Sequence, residues 1–195
     1  GFDIDHGTDI NIAVDGMPVN MVSHAHGQGY ADLHFVIPEL IDKVNFNKGP
    51  YYADKGNFAT AGFVDFKTKD YLENNFVKLE GGQFSTFRGI AGINLLKPQK
   101  ERRNQSLYFA GEGSFTKGYF ESPQNFSRFN GILKYHGSLN SNNTLTASLT
   151  GFTSKWNASG QIPDRAVESG LVGFFGAIDN KEGGRTSRYN ANLEL

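Results

Sequence analysis

Apolar and polar residues alternate with a period of two along most of the chain beyond residue 75. Phe76-Val77-Lys78-Leu79-Glu80-Gly81 mixes apolar with charged positions in this way, and after a turn near Gly82-Gln83 the alternation resumes from Phe87 to Leu95. Leu107, Phe109, Gly111, Gly113 and Phe115 then fall on one face of an extended chain, with Ser106, Tyr108, Ala110, Glu112 and Ser114 on the other. Arg128 to Leu139 repeats the arrangement: Phe129, Leu133, Tyr135 and Leu139 against Arg128, Asn130, Lys134, His136 and Ser138. Leu145, Ala147 and Leu149 oppose Thr144, Thr146, Ser148 and Thr150, and Tyr189, Ala191, Leu193 and Leu195 oppose Arg188, Asn190, Asn192 and Glu194. This periodicity predicts about six strands of roughly ten residues each, polar on one side only.

Charge indicates which side of those strands is wet. Lys78, Glu80, Glu112, Arg128, Lys134, Arg188 and Glu194 lie on the polar face, which suits the lumen of a membrane barrel whose other face meets lipid. The connections differ in length as such a barrel requires: 97–104 and 140–143 are short, whereas 156–184 is long, polar and glycine-rich. Phe115, Tyr119, Phe120, Phe126 and Trp156 fall near strand ends, either as an interface girdle or as core and loop packing. A soluble β-sandwich also alternates and stays open as the second architecture.

Before residue 70 the pattern is shorter and more interrupted. Ile10, Ile12 and Val14 alternate with Asn11 and Ala13, Asp15-Gly16 makes a turn, and Met17-Pro18-Val19 continues extended. Pro38 to Lys43 suits a short helix, with Pro38 at its first position and Glu39 near the positive end of its dipole. Val44-Asn45-Phe46-Asn47 is a strand that breaks at Gly49-Pro50; a polar and aromatic excursion follows from Tyr51 to Thr60, and Phe63 to Thr68 alternates again. Gly49, Gly56 and Gly62 mark positive φ or close backbone approach, and Pro50 cannot donate to a ladder.

These residues resemble the plug of TonB-dependent outer-membrane receptors. Gly49-Pro50, Gly56, Ala61-Gly62 and Thr68-Lys69 fit its closing segment, Ala13-Val14-Asp15-Gly16-Met17-Pro18-Val19 its Asp-Gly turn, and Ile37 to Val44 the short helix before the Gly-Pro strand. The resemblance implies a mainly β chain. Residues 1–69 become the C-terminal part of a plug, a small mixed sheet with a short helix. Residues 70–195 become the first six or so antiparallel strands of an incomplete transmembrane β-barrel. It further implies residence in the bacterial outer membrane and contact with its lipid. The implied activity is energy-coupled import of a small extracellular ligand, an iron-siderophore or other metal chelate, with a glycan or peptide as alternative cargo. The implied partner is the TonB energy-transducing complex, reached through a segment outside this chain. No bond is made or broken in such import, so neither enzyme activity nor a cofactor is expected.

Composition narrows the classes further. With 195 residues, 38% hydrophobic and 20% charged, the chain is neither membrane-helical nor disordered, and no apolar run approaches the roughly 18–20 residues of a spanning helix. Its 24 Gly, 17 Phe and 8 Tyr favour turn-rich aromatic β structure, and a formal charge of −1 gives no case for nucleic acid. Cysteine is absent, which excludes disulfides and thiolate metal sites. Gly1-Phe2-Asp3 is neither a start Met nor a signal peptide, so an internal segment of a longer protein is the expectation. Six strands against about 22 in plugged transporters point the same way.

Two loops carry the candidate chemistry. In Met21 to Phe35, His24 and His26 share a side if the chain is extended, and His34 lies nearby. With Asp32 the only acid there, solvated or hydrogen-bonded imidazoles are the reading and no metal site is assigned. By resemblance this loop lies at the outward apex, which makes His24, His26, Gln28 and Tyr30 candidate ligand contacts. The second loop offers Tyr51, Tyr52, Asp54 and Lys55. Related receptors often place an aromatic residue just before the closing glycine; Lys55 there instead favours an anionic or carbonyl-rich ligand. Packing of Tyr51, Tyr52 and Phe58 against a barrel wall is the alternative. Asp15, Gly16, Gly49, Pro50, Gly56 and Gly62 are assigned structural roles. A hydrolase is not supported, because Ser23-His24 lacks an orienting acid and an oxyanion loop. The glycine-rich stretch also lacks the GxxxxGK[ST] phosphate pattern. A passive porin-like barrel does not account for residues 44–69.

Overall fold

Two short strands lying parallel organise the first part of the chain. In the computed structural model, which describes residues 9–25, 27–99 and 104–195, Ile10–Val14 (β1) pairs in parallel with Gly62–Thr68 (β4) from Ile10↔Gly62 to Val14↔Phe66. Met17–Pro18 (β2) folds back on β1 through the Asp15-Gly16 turn, whose residues hold φ of 48° and 75°. Ile41–Lys48 (β3) pairs antiparallel with β4, giving a four-stranded mixed sheet in the order β2-β1-β4-β3. Val14, Val19, Phe35, Ile37, Leu40 and Phe63 are its buried apolar residues.

The chain divides into two compact units, the first ending at Asp70 and the second running from Tyr71 to Leu195. The second is an antiparallel meander of Phe76–Gly82 (β5), Thr86–Leu96 (β6), Ser106–Thr116 (β7), Phe126–Ser138 (β8), Thr144–Asn157 (β9) and Gly183–Glu194 (β10). Every neighbour in the order β10-β9-β8-β7-β6-β5 is adjacent in sequence, and the sheet does not close on itself.

Burial on this sheet runs opposite to that of a water-soluble protein. Phe129, Leu149 and Tyr189 on the apolar face are 61%, 58% and 77% exposed, while Glu112 and Lys134 on the opposite face are 4% and 0% exposed. A sheet that presents aromatic and aliphatic side chains outward and keeps its charges inside satisfies the hydrophobic effect only against a nonaqueous medium. A β-sandwich requires a second sheet over that apolar face, and the second unit contains one sheet among the described residues.

Three local expectations are corrected. The helix over Pro38 to Lys43 is only a 3-10 turn, Pro38–Leu40, because Ile41 already pairs with Thr68 and Lys69 N–H donates to Leu40 O at 2.8 Å. Ladder pairing thus takes the residues that a longer helix needs. β9 continues seven residues past Thr150 to Asn157, held on both sides by β8 and β10. Phe152 lies buried on the otherwise polar face and breaks the alternation there. The long connection is therefore 158–182, and it contains a five-residue helix, Asp164–Glu168 (α1), that periodicity does not reveal.

Candidate functional site

Both candidate loops leave the same end of the four-stranded sheet. β1 begins there at Ile10, opposite Gly62, which in turn pairs with Lys48 at the end of β3. Ala61 N–H donates to Asp9 O and Gly49 N–H to Ala61 O, closing the neck of loop 49–61. Asn20 fastens the other loop to the same strand: its Oδ1 accepts Ile12 N–H at 2.7 Å, and its Nδ2 donates to Ile10 O and Gly29 O, both at 3.0 Å.

The opposite end is locked by the Asp-Gly turn. Buried Asp15 accepts Thr68 N–H on Oδ1 at 2.9 Å and Thr68 hydroxyl on Oδ2, tying the turn to the last residue of β4 across 53 positions. That contact gives a physical reason for an Asp-Gly turn and a closing Thr to occur together. Asp15→Ala leaves two buried donors of Thr68 without this acceptor and is expected to destabilise the sheet by about 1–3 kcal/mol. Asp15→Asn, which keeps one acceptor, is expected to lose less. Protease sensitivity of residues 9–70 in the intact receptor reads the difference; equal resistance in both variants and the parent contradicts the role.

In the first loop, Gly27 N–H donates to His24 O at 3.1 Å, so the chain turns at 24–27 instead of running extended. Of the two imidazoles expected on one side of an extended chain, His26 lies outside the described residues. His24 is exposed and stacks on Tyr30, with ring centroids 4.3 Å apart and 13° between planes. Burial, then the negative charge of Asp32, raises the Tyr30 pKa above that of an ordinary phenol, so Tyr30 presents a protonated hydroxyl. His34 Nδ1 lies 2.7 Å from Asp32 Oδ1. Gln28 is exposed at the loop tip. Among the described residues, no group of three or more His, Asp or Glu is placed to hold a metal ion.

In the second loop, Tyr51 is 83% exposed and its ring covers Gly49, where a Cβ would sit 2.5 Å from it. Tyr52 turns inward, edge-on to Phe63 at 5.1 Å. Lys55 also folds back over the sheet: Nζ lies 2.8 Å from Asp65 Oδ2, 3.5 Å from Asp54 Oδ2 and 4.3 Å above the Phe63 ring. The hydrogen bond to Asp65 raises the Lys55 pKa, burial opposes it, and the charges of Asp65 and Asp54 add to it. Lys55 therefore stays charged through neutral pH, and on the alkaline side its ion pair is lost as pH rises through that raised value. Lys55, Asp54 and Asp65 line a polar groove of about 590 Å³ with Asn11, Asn45, Lys43 and Lys67. Phe58 holds φ of 64°, a backbone that costs a non-glycine residue roughly 1–2 kcal/mol. Gly56 (69°) and Gly62 (151°) also have positive φ, and a Cβ on Gly62 would collide with Asn47 O.

The six-stranded sheet carries a charged cluster that sequence reading caught only in part. Buried Glu112 on β7 takes Arg88 of β6 on Oε2, with Nε at 2.9 Å. Its Oε1 takes Arg128 of β8 at 2.7 Å and Asn130 Nδ2 at 3.1 Å. Arg88 also reaches Glu80 of β5 at 3.0 Å, and Glu80 holds Lys78 at 2.6 Å, so one network crosses four strands. Periodicity placed Glu112, Arg128, Glu80 and Lys78 on one face but missed Arg88; counting two residues at a time from Ile90 finds it.

Comparison with known proteins agrees with this architecture. The chain is 35% identical over 77 residues to the TonB-dependent heme receptor A of Haemophilus ducreyi, covering 38% of this chain and 10% of that protein. It is 27% identical over 155 residues to the heme receptor of the same name from Haemophilus influenzae, covering 72% of this chain and 20% of that protein. Its fold matches the ferric-catecholate import receptor Fiu of E. coli K12 over 97% of this chain and 29% of that one, with a TM-score of 0.66 at 17% identity. Over most of its length the chain is similar to TonB-dependent outer-membrane receptors. No family model matches it. It spans between a tenth and a third of the length of these relatives. The mixed sheet has the fold of the receptor plug and the antiparallel sheet that of barrel wall.

Proposed function

We propose that residues 1–69 are the C-terminal part of a plug and residues 70–195 the first barrel strands of a receptor that imports an iron chelate across the outer membrane. The observation that carries the reading is the six-stranded sheet with Glu112 and Lys134 buried on one face and its Phe, Leu and Tyr side chains exposed on the other. Such a sheet lines a wet passage and faces lipid, while the small mixed sheet supplies the body that blocks the passage. The ligand settles on the loops at the Ile10–Gly62 end, and the TonB complex supplies the energy that moves the plug. Transport changes no bond, so the groups that matter bind and release.

Relatives named for heme and for ferric catecholate support an iron chelate as cargo. The exposed His24–Tyr30 stack favours heme as a second, narrower reading, since it offers an imidazole for iron and an aromatic surface for a porphyrin. The test compares binding of hemin and of a ferric catecholate to the intact receptor and to its His24→Ala, His26→Ala and Lys55→Ala variants. His24→Ala is expected to weaken binding of the true cargo at least tenfold, about 1.4 kcal/mol. Lys55→Ala acts less directly, by freeing Asp65 and loosening the loop. Unchanged affinity in all three variants removes the loop assignment; binding of neither iron compound by the parent receptor removes the cargo.

A further inference from the structure

The outward face of the six-stranded sheet is not uniformly filled. Between β8 and β10, Ala147 and Ala191 form the floor of a trench walled by Leu133, Tyr135, Leu149 and Leu193, with a volume of about 420 Å³. Register explains it: Tyr135 and Leu193 both lie opposite Ala147, and Leu149 lies between Leu133 and Ala191, so two methyl groups sit among four large side chains. All six are odd-numbered and share the apolar face.

We propose that this trench binds one acyl chain of a phospholipid in the inner leaflet of the outer membrane. The inference rests on the lipid-facing reading of that face. Continuity argues for the occupant, because the trench opens within the same apolar surface as Phe109, Phe129 and Leu149, which are exposed along it. Depth argues for the leaflet. Leu107, another lining residue, is the second of β7, and Tyr135 stands three residues before the end of β8. The trench thus lies in the half of the sheet away from the long connection 158–182, and because long connections mark the outer side of a bacterial barrel this half is the periplasmic one. An empty trench in a bilayer leaves its walls without contact partners, whereas a seated chain restores them.

The intact receptor, purified from outer membranes in mild detergent, is examined by native mass spectrometry and by phospholipid extraction. The parent is expected to retain one phospholipid through washing, and the Ala147→Phe/Ala191→Phe variant at least fivefold less. Val77→Phe, on the same face outside the trench, is expected to leave retention unchanged. A heat-modifiable gel shift in every variant certifies the barrel. Equal retention in the filled variant overturns the proposal, as does lipopolysaccharide or a second receptor copy in place of phospholipid. Loss of the heat-modifiable shift from the parent itself, with partition into water, instead overturns the membrane reading.

Discussion

Replacing Glu112 by Ala is expected to cost the barrel about 3–5 kcal/mol, the largest effect of any single substitution described for this chain. The reason is geometric. Both carboxylate oxygens of Glu112 are buried and engaged, Oε2 by Arg88 and Oε1 by Arg128 and Asn130. Removing the anion leaves two guanidinium groups facing each other across β7 with one buried counter-charge gone. Arg88 retains Glu80, but that carboxylate is 41% exposed and already shared with Lys78. Glu112→Gln keeps the shape and some acceptor capacity and is expected to fall between parent and Ala. Glu80→Ala, at the solvated end of the network, is expected to lose far less than Glu112→Ala. Denaturant unfolding of the intact receptor in micelles, followed by heat-modifiable mobility, measures all three. A loss below about 1 kcal/mol for Glu112→Ala means that the four strands are not held through this residue.

Leu149→Arg probes the other face and reverses sign with the surroundings. Leu149 lies near the middle of β9, opposite Leu133 and Ala191, and is 58% exposed. On a lipid-facing barrel strand, Arg near the bilayer midplane is expected to destabilise by about 2–4 kcal/mol. On a water-facing sheet the same change touches an exposed position and stays within about ±0.5 kcal/mol, with better solubility as its visible effect. Folding into vesicles of defined thickness, with the parent as reference, gives the comparison directly. Full tolerance of Arg at this position is incompatible with a membrane wall.

Period-two alternation sufficed to place β5 to β8 within one or two residues, because the outward face of those strands carries no charged residue from end to end. It stopped short on β9, where Phe152 sits among polar residues yet hydrogen bonding to both neighbours carries the strand on. Turn chemistry was legible for a related reason. Asp15-Gly16, Gly49, Gly56 and Gly62 need backbone conformations that few other residues adopt, so the residue type itself reports the geometry. The 3-10 turn at Pro38–Leu40 was overestimated because local propensity says nothing about the partner strand that claims Ile41.

Side-chain partnership is where local reading ended. Sequence marked Lys55 as a cation at a loop tip; only the fold shows it drawn back onto Asp65 and Phe63. Sequence listed Tyr51 and Tyr52 as equivalents; the fold exposes one and turns the other toward Phe63. Sequence places His24 and Tyr30 in one loop; only the fold stacks their rings.

The sequence by itself determined the strand periodicity, the inward charges and outward aromatics, and the glycine turns, since each depends on residues within a few positions of one another. The tertiary structure alone decided the pairing of Asp15 with Thr68, the four-strand cluster around Glu112 and the trench over Ala147 and Ala191. Those features join residues on different strands, and their registry follows from hydrogen-bonded ladders that no single segment encodes.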